Sequence, residues 1–144
     1  MSKSNTTEND LMLLIFNKTL PAYLGTLNTT GNTDLYVSLH TADPTDTGVQ
    51  NTSEATYNGG AYGRVAVVRT AGGWTVSGNQ ASNTAIIQFA LCTSGSDTIT
   101  YVGIGTAASG AGQLLYSGQL NSPRTISNGI QPQFSPGDLI FQED

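Results

Sequence analysis

Asp34-Leu35-Tyr36-Val37-Ser38-Leu39-His40-Thr41 is the stretch on which the fold turns. Leu35, Val37 and Leu39 fall on one face, and Tyr36, Ser38 and His40 on the other. Strand side chains alternate between faces, so this period of two marks a half-buried β-strand. Asp43-Pro44-Thr45-Asp46-Thr47-Gly48 ends it with strong turn chemistry. Downstream, strand signals recur over 64–69, 73–77, 85–91, 98–104, 113–120, 125–134 and 138–141, each bounded by Gly, Asn, Ser or Pro. This rhythm predicts an all-β fold, an antiparallel β-sandwich of about eight strands. No helical stretch separates the strands, which argues against a parallel α/β sheet.

Upstream the pattern differs. Residues 1–9 are small and polar and read as a flexible arm. Asn9 or Asp10 would cap a short helix over 10–20, with Leu11, Leu14, Ile15 and Lys18 on one face. Pro21 limits the helix, residues 23–27 continue irregularly, and 28–32 form a turn cluster. The expected organisation is an arm with helix over 1–33 and a β domain over 34–144. An apolar helix face must pack on its own domain or on a partner, so Leu11, Leu14 and Ile15 are candidate partner contacts. The aperiodic stretch 42–62 is long for a compact domain, and such loops are functional or mobile. It adds Tyr57 and Tyr62 to the candidate contacts.

The chain has 144 residues, of which 10% are charged, against about 25% in ordinary domains. Thr, Ser, Asn and Gly fill the difference, which suits exposed strand faces. The net charge is −5, and Lys3, Lys18, Arg64, Arg69 and Arg124 are scattered. Binding a phosphate backbone needs clustered cations, so no nucleic-acid partner is expected. The apolar run 11–16 is too short to span a membrane, and Glu8 and Asp10 precede it where a signal peptide would be basic. No membrane partner is expected either. Cys92 is the sole cysteine, so no intramolecular disulfide can form, and its apolar run 85–92 points to a buried thiol.

Catalytic and metal-binding patterns are weak throughout. His40 is the only histidine, and Ser38 shares its strand face while Asp43 follows in the turn. Residues two apart on a strand lie about 7 Å apart, too far for direct proton transfer. Asp43 and Asp46 offer oxygens to a cation, but without the EF-hand spacing. Gly103-Ile104-Gly105 lacks the third glycine of a dinucleotide loop, and a strand rather than a helix follows it. Glu8, Glu54 and Glu143 lie in arms or loops, unlike the facing acids of a glycosidase. No enzyme activity, metal or cofactor is expected. Trp74 reads as a core or interface anchor, and the tyrosines as core or sugar-stacking residues.

Three segments together resemble a known family: Leu35-Tyr36-Val37-Ser38-Leu39-His40-Thr41-Ala42-Asp43-Pro44, then Tyr62-Gly63-Arg64-Val65-Ala66-Val67, then the run from Gly103 through Gln113-Leu114-Leu115-Tyr116. They resemble small tailed-bacteriophage virion proteins of the capsid cement or decoration type, often labelled tail fibre proteins. The resemblance covers 34–141. It implies a jelly-roll sandwich, in many copies on the outer surface of the head, that stabilises contacts between major capsid proteins. It implies a homo-oligomer, a dimer before a trimer. The alternative is a tail-fibre or tail-attachment module that binds a host receptor or other tail proteins.

Overall fold

In the computed structural model, residues 4–19 and 32–143 are described. Residues 1–3 of the expected arm, the irregular continuation over 20–27 and the turn cluster over 28–31 lie outside them. The elements are α1 (Asn5–Asn17), β1 (Asp34–His40), β2 (Val65–Val68), β3 (Trp74–Ser77), β4 (Gln80–Asn83), β5 (Ile87–Gln88), β6 (Asp97–Gly105), β7 (Leu114–Ile126), β8 (Gln133–Phe134) and β9 (Ile140–Gln142). Among the described residues the fold is all-β and sandwich-like in class, with one short α-helix near the N-terminus. The strands among the described residues form three sheets, with orders β2-β1-β6-β7, β3-β4-β9 and β5-β8.

The chain divides into two compact units. The first comprises Met1–Asp34, Val67–Ile87 and Phe134–Asp144, and the second Leu35–Ala66 and Gln88–Gln133. In the first unit, α1 packs on β3 and β4. The helix starts at Asn5 because Ser4 supplies the cap that the sequence reading placed at Asn9 or Asp10, its hydroxyl accepting from the Thr7 N–H. Glu8 in the first turn complements the helix dipole. Residues 5–9, read as arm, are therefore helical.

The buried ridge of α1 is Glu8, Met12 and Phe16, not Leu11, Leu14 and Ile15, which are half-buried. Phe16 sets that rotation. Its ring lies 4.9 Å from Trp74 and 6.0 Å from Phe141, and Trp74 lies 6.2 Å from Phe141. At the other end, Lys18 turns the chain in the left-handed region. Arg69 then serves the open helix carbonyls. Its Nε donates to Ile15 O at 2.7 Å and its Nη2 to Leu14 O at 2.9 Å. A cation at a helix C-terminus satisfies orphan acceptors and favours the dipole.

The strand β4 escaped the sequence reading, because Gln80-Ala81-Ser82-Asn83 carries little apolar signal. It pairs with β3 through a two-residue turn at Gly78-Asn79, where Gly78 has φ +60°. Asn83 is buried and fully used. It donates to Ala85 O and Ser135 O at 2.8 Å each and accepts from Leu139 N at 3.0 Å. The stretch read as one strand over 125–134 is instead the end of β7, a turn closed by Ile130 N to Ser127 O, and β8.

In the second unit, β1 and β6 pair antiparallel with Val37 opposite Ile104 and Leu39 opposite Val102. These residues are buried, as the alternation predicts. Cys92 is buried too, with Sγ 3.5 Å from Ser94 O.

Candidate functional site

The second face of β1 is half-buried at Tyr36 and fully buried beyond it, where Ser38 and His40 are both 0% exposed. What covers it is the stretch 42–62. That stretch returns beside β1 through Thr41 N to Ser53 O (2.8 Å) and Ala55 N to Leu39 O (2.9 Å), which brings Glu54 opposite His40. Asp97 fixes the next turn, its carboxylate accepting from the Thr56 and Tyr57 N–H groups at 2.6 Å each. Asn58 does the same further on, accepting from Thr93 N and Ser94 N and donating to Leu91 O. The long loop is thus tied down along its length.

Gln50 is the plug of this region, fully buried at 0%. Its Nε2 donates to Tyr36 O at 2.9 Å, and its Oε1 accepts from Ala107 N at 3.1 Å. Its backbone N–H donates to Ala111 O at 2.8 Å. The glycine-rich connection between β6 and β7 is a hairpin loop shaped around it. A Cβ on Gly105 would come within 2.3 Å of Gln50 Cδ, and one on Gly112 within 2.6 Å of Gln50 Oε1. The glycines serve a close approach of side chains here, not a phosphate.

Arg64 completes the clasp, with its side chain 2% exposed against 16% for Glu54. Its Nε donates to Glu54 Oε1 at 2.6 Å and its Nη2 to Glu54 Oε2 at 2.8 Å. The same guanidinium donates to Ala107 O at 2.8 Å and Gly110 O at 2.6 Å, so it holds the hairpin loop as well. Burial pulls its pKa down, and the hydrogen bond and charge of Glu54 more than offset that. Tyr62 donates to the same Glu54 oxygen as Arg64 Nε. Burial, then the Glu54 carboxylate, pushes the Tyr62 hydroxyl well above its ordinary range. The Tyr57 hydroxyl is pushed up to about 12, mainly by burial.

His40 and Ser38 correct one expectation. Ser38 Oγ lies 2.8 Å from His40 Nε2, within direct hydrogen-bond reach. The strand repeat of about 7 Å measures backbone spacing, and side chains that lean along the strand close that gap. His40 Nδ1 lies 2.8 Å from the Thr52 carbonyl, which only accepts, so Nδ1 carries the proton and neutral Nε2 accepts from Ser38. The pair resembles a nucleophile with its base, but no substrate reaches it. Both residues are fully buried, and a Cβ on Gly103 would already come within 2.6 Å of Nε2. Asp43 is exposed and caps Thr45 N at 2.9 Å, away from the ring. The Ser38–His40 pair is a buried packing element.

The expected partner residues separate. Tyr57 and Tyr62 are 1% and 4% exposed. Their rings lie tilted to each other in the core of the second unit, 5.5 Å apart, and Tyr62 stacks on Phe89 at 6.1 Å. Both rings face the core of their own unit, where an apolar ring with a hydrogen-bonded hydroxyl is well placed. Leu11, Leu14 and Ile15 belong to the first unit. No group of three or more metal-ligating side chains occurs among the described residues. Over the clasp lies an open depression of about 330 Å³, lined by Glu54 and Arg64 together with Asn51, Thr56, Ala108 and Ser109.

A β-rich unit whose buried polar side chains are bonded to loop backbone and to one another is built to hold a surface in shape. That is the build of a structural or binding protein. The chain matches the family described as Podophage GP4 fiber I protein gp80 over residues 3–142, and it belongs to that family. It is accordingly a bacteriophage virion protein of fibre type. A search of curated proteins found no match.

Proposed function

We propose that the chain serves as a tail-fibre or tail-attachment module, binding a host receptor or other tail proteins, rather than as a cement protein on the head. The observation that carries this is the family match over 3–142, nearly the whole chain, to proteins described as fibre. The site supports it. Arg64, Gln50 and Asp97 fix the loop 42–62, and the first two also fix the hairpin loop 106–113, so the end that carries them can meet a partner without ordering cost. The lining of its depression joins the mutually paired Glu54 and Arg64 to small residues such as Asn51, Thr56 and Ser109, which suits a polar glycan or protein surface. Cement function on the outer capsid, with the major capsid protein as partner, rests on motif resemblance alone.

The test is competition. Purified protein in excess should slow adsorption of the phage to its host. Unchanged adsorption, with rebinding of the protein to heads that lack it and a gain in their heat resistance, would favour the head instead.

A further inference from the structure

β7 is an edge strand among the described residues, with β6 on one side only. Edges expose unpaired backbone N–H and C=O groups, and proteins blunt them with charge, proline or bulges. Pro123 and Arg124 do so at one end of β7, beside the register shift between Ile99 and Tyr101 of β6. A second shift lies between Ile104 and Gly105, which leaves Tyr116 to Gln119 regular. Residues 114–122 carry no charge, in a chain of net charge −5.

Gly118 sits in that regular, neutral stretch, opposite Val102. Gly105 and Gly112 make room for Gln50, and Gly103 for His40. Gly118 has no such cause. Its φ is not positive, and a Cβ there would meet no atom of the described residues within 4 Å. A glycine inside a strand weakens it and often marks the close approach of another backbone.

The geometry points to a second copy of this chain as the neighbour. The two β7 strands would lie antiparallel, edge to edge, about a two-fold axis at Ser117. An isologous contact needs a strip complementary to itself. A neutral strip pairs with itself without like-charge repulsion. Tyr116 and Gly118 flank Ser117, so the axis seats each Tyr116 opposite Gly118 of the partner subunit, twice. An aromatic across from an edge glycine compensates for its missing side chain. This deepens the fibre reading by naming a self-contact, yet its test uses purified protein alone, so either can fail without the other.

Full-length Ser117→Cys should cross-link into a covalent dimer under mild oxidation, because the two positions face each other within disulfide reach. The native Cys92 is buried, so background cross-linking is low. Gln119→Cys should cross-link far less, its two copies lying about 13 Å apart. Gly118→Val should reduce the native mass in sedimentation to that of the monomer, with a thermal midpoint no lower than wild type. Should Gly118→Val fail to fold, the cysteine pair decides. A monomeric wild type, or an oligomer in which Ser117→Cys cross-links no faster than Gln119→Cys, would overturn the inference.

Discussion

Three rings 4.9 to 6.2 Å apart (Phe16, Trp74 and Phe141) hold the first unit together, whereas the loops of the second are held by Arg64, Gln50 and His40 through hydrogen bonds. The contrast is one of degree, since the first unit also buries Asn83 and the second also packs Tyr57, Tyr62 and Phe89. It teaches how a chain with 10% charged residues spends them. Arg64 and Arg69 donate to backbone carbonyls, so these two scarce cations fasten segments rather than decorate the surface. Apolar contacts lose stability by volume removed. A buried polar network loses more from one deletion, because the partners left behind are desolvated and unpaired.

The largest expected effect breaks the polar side. Arg64→Ala leaves Glu54 with only the Tyr62 hydroxyl as donor and two carbonyls with none, and should cost about 3–5 kcal/mol in urea unfolding. Replacing Arg64 and Glu54 together with leucines should cost less than Arg64→Ala alone, since no buried charge is then stranded. A double variant as damaged as the single would show that the carbonyl contacts, not the ion pair, carry the clasp.

Phe16→Ala tests the apolar side. It should cost about 3 kcal/mol through lost ring contacts and the cavity left on Trp74 and Phe141. A loss under about 1 kcal/mol would mean that α1 is not needed for the first unit.

The smallest effect is in pH. Burial lowers the pKa of His40 from 6.5, with the Thr52 carbonyl and Glu54 opposing and Arg64 adding to it. The unfolded chain therefore takes up a proton at higher pH than the folded one. The stability is fully present above about 6.5 and is lost as pH falls through the lowered folded value. Urea midpoints should drop between neutral pH and about pH 5, and His40→Gln should flatten part of that drop. An equal slope in the variant would remove His40 as the cause.

Much of this was readable in the sequence. The alternation from Leu35 to His40 gave β1 and its buried apolar face, and the lone Cys92 gave its burial. What was not readable depended on contacts distant in sequence. Gln50 and Glu54 sit in a stretch with no period, and nothing local says that they meet Ala107 or Arg64. The glycines at 103, 105 and 112 read only as an incomplete nucleotide loop, because the side chains that approach them come from His40 and Gln50, far along the chain. Gly78-Asn79 was an available hairpin signal for β4, masked because the polar strand after it carries no apolar alternation. The helix ridge that packs on its own unit was not readable, because the rings of Trp74 and Phe141, far along the chain, select Phe16.

The fibre reading is most directly tested by electron microscopy of phage particles with a gold-labelled antibody against this chain. Gold at the tail fibres, in a handful of copies, is the expected result. Gold spread over the head in hundreds of copies would contradict it.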